Sequence, residues 1–196
     1  VSVAILRSPD GPVYFPTLEE EARGRACGRL QARRYESGEV PERAYIPGDD
    51  REANSSIGAI GELLFSERYL EQPWFCDLTK YGDPDVLGYH VRTRRSWNPQ
   101  LQVQQKDPDD GLYVLLWTTA PRGLVLGKYK LAGWATGARV RRDGILADPG
   151  GIGAPAYWLD TWLLDPIATL PVTLELERAR RIARRLAEDP EERPAD

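Results

Sequence analysis

The sequence reads as an α/β protein with helices first, a series of strands in the middle and one helix at the end. Three observations predict this. Apolar residues recur at helical spacing as far as Leu70, the period changes from Trp74 onward to strand-like alternation, and amphipathic spacing returns around Leu174. At 196 residues the chain can bury the core of one domain carrying extended arms.

The elements follow in order. The first residues read as an irregular arm or a short strand. Thr17 precedes Leu18-Glu19-Glu20, which predicts a capping box from Thr17 to Glu20, with acids in the first turn where the helix dipole favours them. This helix is expected to run to about Tyr35, with Gly24 and Gly28 allowing close packing and Gly38 as its stop. Glu39 to Asn54 reads as a polar loop, and Asn54-Ser55-Ser56 as the cap of a second helix over Ile57 to Leu70. Ile57, Ile60 and Leu64 share one of its faces. Gly58 and Gly61 each cost a helix about 1 kcal/mol relative to Ala, which predicts a benefit in close approach to a sheet.

Strands are expected at Tyr89 to Thr93, Leu101 to Val103, Leu112 to Trp117 and Leu124 to Trp134, separated by turns rich in Pro, Asp, Asn and Gly. Tyr113 to Trp117 lacks alternation, which marks a central strand buried on both faces. Gly144 to Ala156 reads as a glycine-rich loop, and Tyr157 to Leu159 as a short strand or turn. Gly150-Gly151-Ile152-Gly153 lacks the Lys-Ser/Thr and the helix start of a phosphate-binding loop. The last helix, Leu174 to Ala187, is expected to bury Leu174, Ala179, Ile182 and Leu186, with arginines opposite. The acidic, proline-containing tail reads as disordered. The organisation expected is 1–55 as arm, helix and loop, 56–170 as the α/β core, and 171–196 as terminal helix and tail.

Composition excludes several function classes. No apolar run approaches the ~20 residues of a membrane helix, and the N-terminus lacks a basic signal region, so a cytoplasmic protein without membrane contact is expected. Cys27 and Cys76 lack CxxC spacing; buried free thiols are expected, with a disulfide as the other option. His90 is the single histidine, which removes histidine triads and histidine-based zinc sites. A net charge of −4 argues against a general polycation. The arginines nevertheless cluster, at Arg92/Arg94/Arg95, at Arg139/Arg141/Arg142 and over Arg178 to Arg185, and each cluster suits either phosphate contacts or a solvated, ion-paired face.

The chemistry-bearing stretch is Gly82 to Arg94, GDPDVLGYHVRTR. Metal-dependent phosphodiester hydrolysis needs hard oxygen ligands on rigid elements. Asp85 at a strand entrance and Glu62 on a packed helix are candidate ligands, with Asp83 an alternate. Arg92 stands where a cation on the same strand face as His90 would clamp phosphate. Arg94, Arg95 and an exposed Trp97 are candidate nucleic-acid contacts; the other tryptophans, including Trp117, Trp134, Trp158 and Trp162, fit core packing better than base stacking.

Gly61-Glu62 on a helix, Pro84-Asp85, and the His90-Val91-Arg92 step together resemble the PD-(D/E)XK nuclease superfamily, and most closely small phage and prophage proteins of unknown function. The similarity covers roughly Ile57 to Trp134. It implies a restriction-endonuclease-like core, a mixed sheet flanked by helices, with helical additions at both ends. It further implies Glu62 and Asp85 as ligands of Mg²⁺ or Mn²⁺, catalytic roles for Glu62, Asp85, His90 and Arg92, and DNA as the partner. Two positions depart from the pattern: His90 replaces an acid and Arg92 replaces a lysine. Arginine stays charged and cannot act as a general base, although it can clamp phosphate. Histidine favours softer metals than Mg²⁺. The resemblance therefore carries two expectations: an active nuclease of a bacterial or phage-infected cell, or a silent module of the same fold that binds nucleic acid or a phage or host protein.

Overall fold

A computed structural model describes residues 11–37, 51–78, 84–95, 98–121, 124–148 and 155–188. Asp83, Trp97, Gly150 to Gly153 and the acidic tail lie outside the described residues.

The chain is α/β, with a mixed sheet flanked by helices. Strand β1 (Val13–Tyr14) leads into α1 (Leu18–Glu36), whose start follows the expected capping box: the Glu20 N–H donates to Thr17 Oγ1 at 3.2 Å and the Thr17 N–H to Glu20 Oε2 at 2.7 Å. Helix α2 (Arg51–Leu64) begins earlier than the sequence suggests. Asn54-Ser55-Ser56 lies inside it, because Ser56 is needed as a buried contact against α1 rather than as a cap. The helix continues into a widened π turn, Phe65–Tyr69, and ends at Glu71, which takes a positive φ of 57°.

The main sheet has the order β1-β5-β4-β2, formed by β2 (Tyr89–Arg95), β4 (Leu112–Thr118) and β5 (Tyr129–Thr136) with β1 at one edge. Strands β2 and β4 are parallel, and the other pairings are antiparallel. Strand β4 is central and Tyr113 to Leu116 are fully buried, as its unbroken apolar sequence requires. Strand β5 starts only at Tyr129, five residues later than expected; the preceding segment instead offers the Val125 carbonyl to the Tyr129 hydroxyl at 2.9 Å. A smaller antiparallel sheet, β3-β7-β6, comprises β3 (Gln100–Gln104), β6 (Ile145–Ala147) and β7 (Ala156–Asp160). Strand β6 thus falls inside the stretch read as a loop. Helix α3 (Gly137–Asp143), not expected from the sequence, is capped by Thr136, whose hydroxyl accepts from the Arg139 N–H at 3.2 Å.

Two cores separate the layers. On one face of the main sheet, α2 packs over Tyr89, Val91, Val114 and Leu116, and α1 packs in turn on α2. On the other, Leu101, Val103 and Leu159 of the small sheet cover Tyr113, Leu115 and Ala135. Helix α4 (Leu174–Glu188) buries Leu176, while Leu174 and Ile182 are exposed, so its buried side differs from the one expected. Trp162 is exposed rather than packed in a core, whereas Trp117 and Trp134 pack against one.

The cysteines are not free thiols. Cys27 of α1 bonds to Cys76 with Cα atoms 5.8 Å apart, because the segment after the π turn folds back over α1. No helix among the described residues is long and apolar enough to cross a membrane.

Candidate functional site

The site forms where α2 meets the entrance of β2. Gly28 of α1 abuts the Ser56 backbone, and Gly61 of α2 abuts the Thr93 side chain of β2, so a Cβ at either position would overlap its neighbour. Gly58, expected to serve the same purpose, has open space around its Cα and makes no close approach. The Gly61 contact brings Glu62 against the strand edge.

Asp85 reaches the same place through a tight turn. Leu87 and Gly88 both have positive φ, 45° and 87°, and Val86 and Tyr89 exchange backbone hydrogen bonds of 3.0 and 2.8 Å. This reversal folds Asp85 back on β2, where its Oδ2 accepts from the Val91 N–H at 2.8 Å and from Arg92 Nη1 at 3.0 Å. Arg92 Nη2 also lies 3.6 Å from Asp107 Oδ2, in the turn after β3. The guanidinium is therefore held between two carboxylates, 5.6 Å from the ring centre of Tyr113. Asp107 itself accepts from the Gln104 N–H at 3.0 Å.

Trp74 closes the other side. Its N–H donates to Glu67 Oε1 at 3.2 Å and its carbonyl accepts from Arg23 Nη2 at 3.2 Å, which fixes the indole over the α2 end. Its Nε1 is close enough to the Glu62 carboxyl to favour ionisation, yet is buried without completing a hydrogen bond. Burial first, and the charge of Asp85 second, push the Glu62 carboxyl up to about 8, against the opposing pull of Arg92 and Trp74. A carboxyl that holds its proton to that pH, although partly open to solvent, occupies a position short of positive charge.

The expected residues are thus partly brought together. Glu62, Asp85 and Arg92 converge. His90 shares the strand face of Arg92 but is buried, with its ring stacked on Tyr113 at 4.6 Å between centroids. Arg94 and Arg95 point to opposite faces of β2. Arg94 donates to Gln102 and stacks on Trp158, 4.6 Å from its ring centre, whereas Arg95 Nη2 donates to the Leu124 carbonyl at 3.1 Å. Asp107, Trp74 and Tyr113 belong to the site without having been singled out. Asp107 reads as a turn residue until the parallel crossover places that turn beside Arg92.

Among the described residues, no group of three or more His, Cys, Asp or Glu side chains is arranged to hold a metal ion. Glu62 and Asp85 nevertheless fit a hard divalent ion, since Mg²⁺ commonly takes one or two carboxylates and keeps several waters. The raised proton affinity of Glu62 beside Asp85 is the electrostatic sign of such a vacancy in charge. Comparison with protein-family models, curated proteins and solved structures returned no match, so the reading of this site rests on its own chemistry.

Proposed function

We propose that this chain acts on the phosphodiester backbone of DNA through a divergent site of the PD-(D/E)XK type. The observation that carries this reading is the convergence of Glu62, Asp85 and Arg92, with Glu62 raised to about 8 by burial and by Asp85. Glu62 and Asp85 would hold Mg²⁺ or Mn²⁺, which supplies charge for the phosphate and acidifies water when bound. Arg92, held by Asp85 and Asp107, clamps the scissile phosphate by exchanging carboxylate for phosphate oxygens, a bidentate geometry common to both. His90 supports the pocket from beneath by packing on Tyr113.

A specific observation favours a second reading, that of a silent binding module. The Arg92 guanidinium already has two carboxylate partners, which is how a structural ion pair is satisfied. Incubation with plasmid and single-stranded DNA, with Mg²⁺ or Mn²⁺, separates the two. The nuclease reading expects cleavage that is lost in Glu62→Ala and Asp85→Ala; cleavage unchanged in both would sink it. Salt-sensitive DNA binding without cleavage under either metal supports the module instead.

A further inference from the structure

Strand β3 of the small sheet carries a row of amides beside the arginines of β2. Gln100, Gln102 and Gln104 alternate with the buried Leu101 and Val103, so a row of amides faces outward along β3. Gln102 lies opposite Trp158 of β7, which lies opposite Ile145 of β6, itself 69 % exposed. Against this row sits Arg94. Its guanidinium is stacked on Trp158 and donates to the Gln102 side-chain oxygen, and no carboxylate among the described residues pairs with it.

That arrangement differs from that of most of the partly buried arginines, although Arg95 likewise donates to a neutral carbonyl oxygen, that of the Leu124 backbone. Arg23, Arg68, Arg92, Arg139 and Arg141 all meet a carboxylate. Arg94 has a neutral amide and an aromatic face instead, and burial together with the neighbouring Arg92 charge lowers its pKa to about 10. A guanidinium has five donors, and the one side-chain bond seen here, to Gln102, does not use them all. Arg92 and Arg94 lie on the same strand face two residues apart, about 6.6 Å along the strand. That interval is comparable to the separation of neighbouring phosphates along an extended nucleic-acid strand.

We infer that Arg94, Gln102 and Trp158 form a subsite for the nucleotide next to the reacting phosphate, in an extended single strand crossing the outer face of the small sheet. Arg94 takes the neighbouring backbone phosphate, Trp158 offers its indole to a base or sugar, and Gln102 holds the guanidinium flat against the indole. The inference rests on the backbone-directed reading of the Glu62–Asp85–Arg92 site and names its substrate class as single-stranded. Stacking on an aromatic platform beside a positive groove is the general means by which proteins hold single strands without reading sequence.

The test is binding of a fluorescently labelled eight-residue oligothymidylate in EDTA, so that cleavage plays no part. The substitution Trp158→Leu should weaken binding by about ten- to a hundredfold, the range for loss of one stacked base. Arg94→Gln should lower the slope of log affinity against log salt by about 0.7, the contribution of one phosphate on a single strand. Because Arg94 is partly buried, its loss could unfold the protein, and Gln102→Glu provides the second variant. A carboxylate there gives Arg94 the counter-charge it lacks, so thermal stability should be kept or raised while oligonucleotide binding falls at least tenfold. Arg142→Gln, at an exposed arginine paired with Asp143, should bind as the wild type does. Gln102→Glu that binds normally would overturn the subsite. So would competition by inorganic phosphate or thymidine monophosphate as strong as by the oligonucleotide, or binding of polyglutamate in its place. Absence of oligonucleotide binding in the wild type also overturns the subsite, while metal-dependent cleavage of plasmid judges the backbone-directed reading separately.

Discussion

Replacing Glu62 by glutamine should change how stability depends on pH more than it changes stability itself. In the folded chain the Glu62 carboxyl is held at about 8, against an ordinary value of 4.5, by burial and by Asp85. Between those two values the folded state keeps a proton that the unfolded chain has released, so stability falls as pH rises through this window and levels off above it. At about 1.4 kcal/mol per tenfold change in proton affinity, full ionisation costs up to about 5 kcal/mol, an upper bound because Asp85 and Arg92 relax with it. Glutamine keeps the shape and carries no charge at any pH. Urea denaturation of both proteins from pH 5 to 9 should show near-equal midpoints at pH 5 and a gap in favour of Glu62→Gln that opens to about 1–5 kcal/mol by pH 9. Adding Mn²⁺ should flatten the wild-type slope, since a cation between Glu62 and Asp85 replaces the proton. Parallel pH curves for the two proteins would refute both the raised proton affinity and the cation site built on it.

Three further outcomes follow from the packing. Gly58→Ala should stabilise the protein by about 0.5–1 kcal/mol, because its Cβ meets open space and alanine is the better helix former; calorimetry reads this as a raised Tm. Gly28→Ala should cost about 1–3 kcal/mol in the same measurement, because its Cβ would overlap the Ser56 backbone, which cannot rotate away. Paired Cys27→Ser and Cys76→Ser should cost about 4 kcal/mol, the chain entropy of a closed loop with a sequence separation of 49. Dithiothreitol should produce the same loss in the wild type, since Cys76 is exposed; denaturation midpoints indifferent to reductant would count against the bond.

What the sequence disclosed was governed by distance along the chain. The Thr17–Glu20 box and the central strand around Tyr113 to Leu116 depend on neighbours a few residues away, and both were legible. Gly58 and Gly61 carry the same local signal, but only Gly61 faces β2, and helical phase relative to an unknown partner decides that. Asn54-Ser55-Ser56 resembles a cap, yet the burial of Ser56 against Gly28 comes from a helix in another part of the chain. Helix α3 is only seven residues long and opens on a glycine, so its apolar pattern is too short to register. At the site, the order of Glu62, Asp85 and Arg92 was readable because motif spacing is local on each element. Asp107 and Trp74 were not, since they arrive through the β2–β4 crossover and the fold-back that ends at Cys76.

The glycine contacts at Gly28 and Gly61 have a consequence for how this site can vary. From α1 through α2 to β2 they leave one point, Gly28 on Ser56, where backbone meets backbone, and a second, Gly61, where only the Thr93 side chain stands between helix and strand. Most interfaces absorb a small displacement by shifting rotamers, but contacts of this kind act as rigid spacers. The distance from Glu62 to the strand is therefore set at Gly61 by the Thr93 side chain, whose β-branched χ1 is stiff, and a change on α1 is passed through α2 toward the carboxylate. Variation that tunes this pocket should be sought at its perimeter, around Asp107 and the small sheet, where side chains still fill the gap.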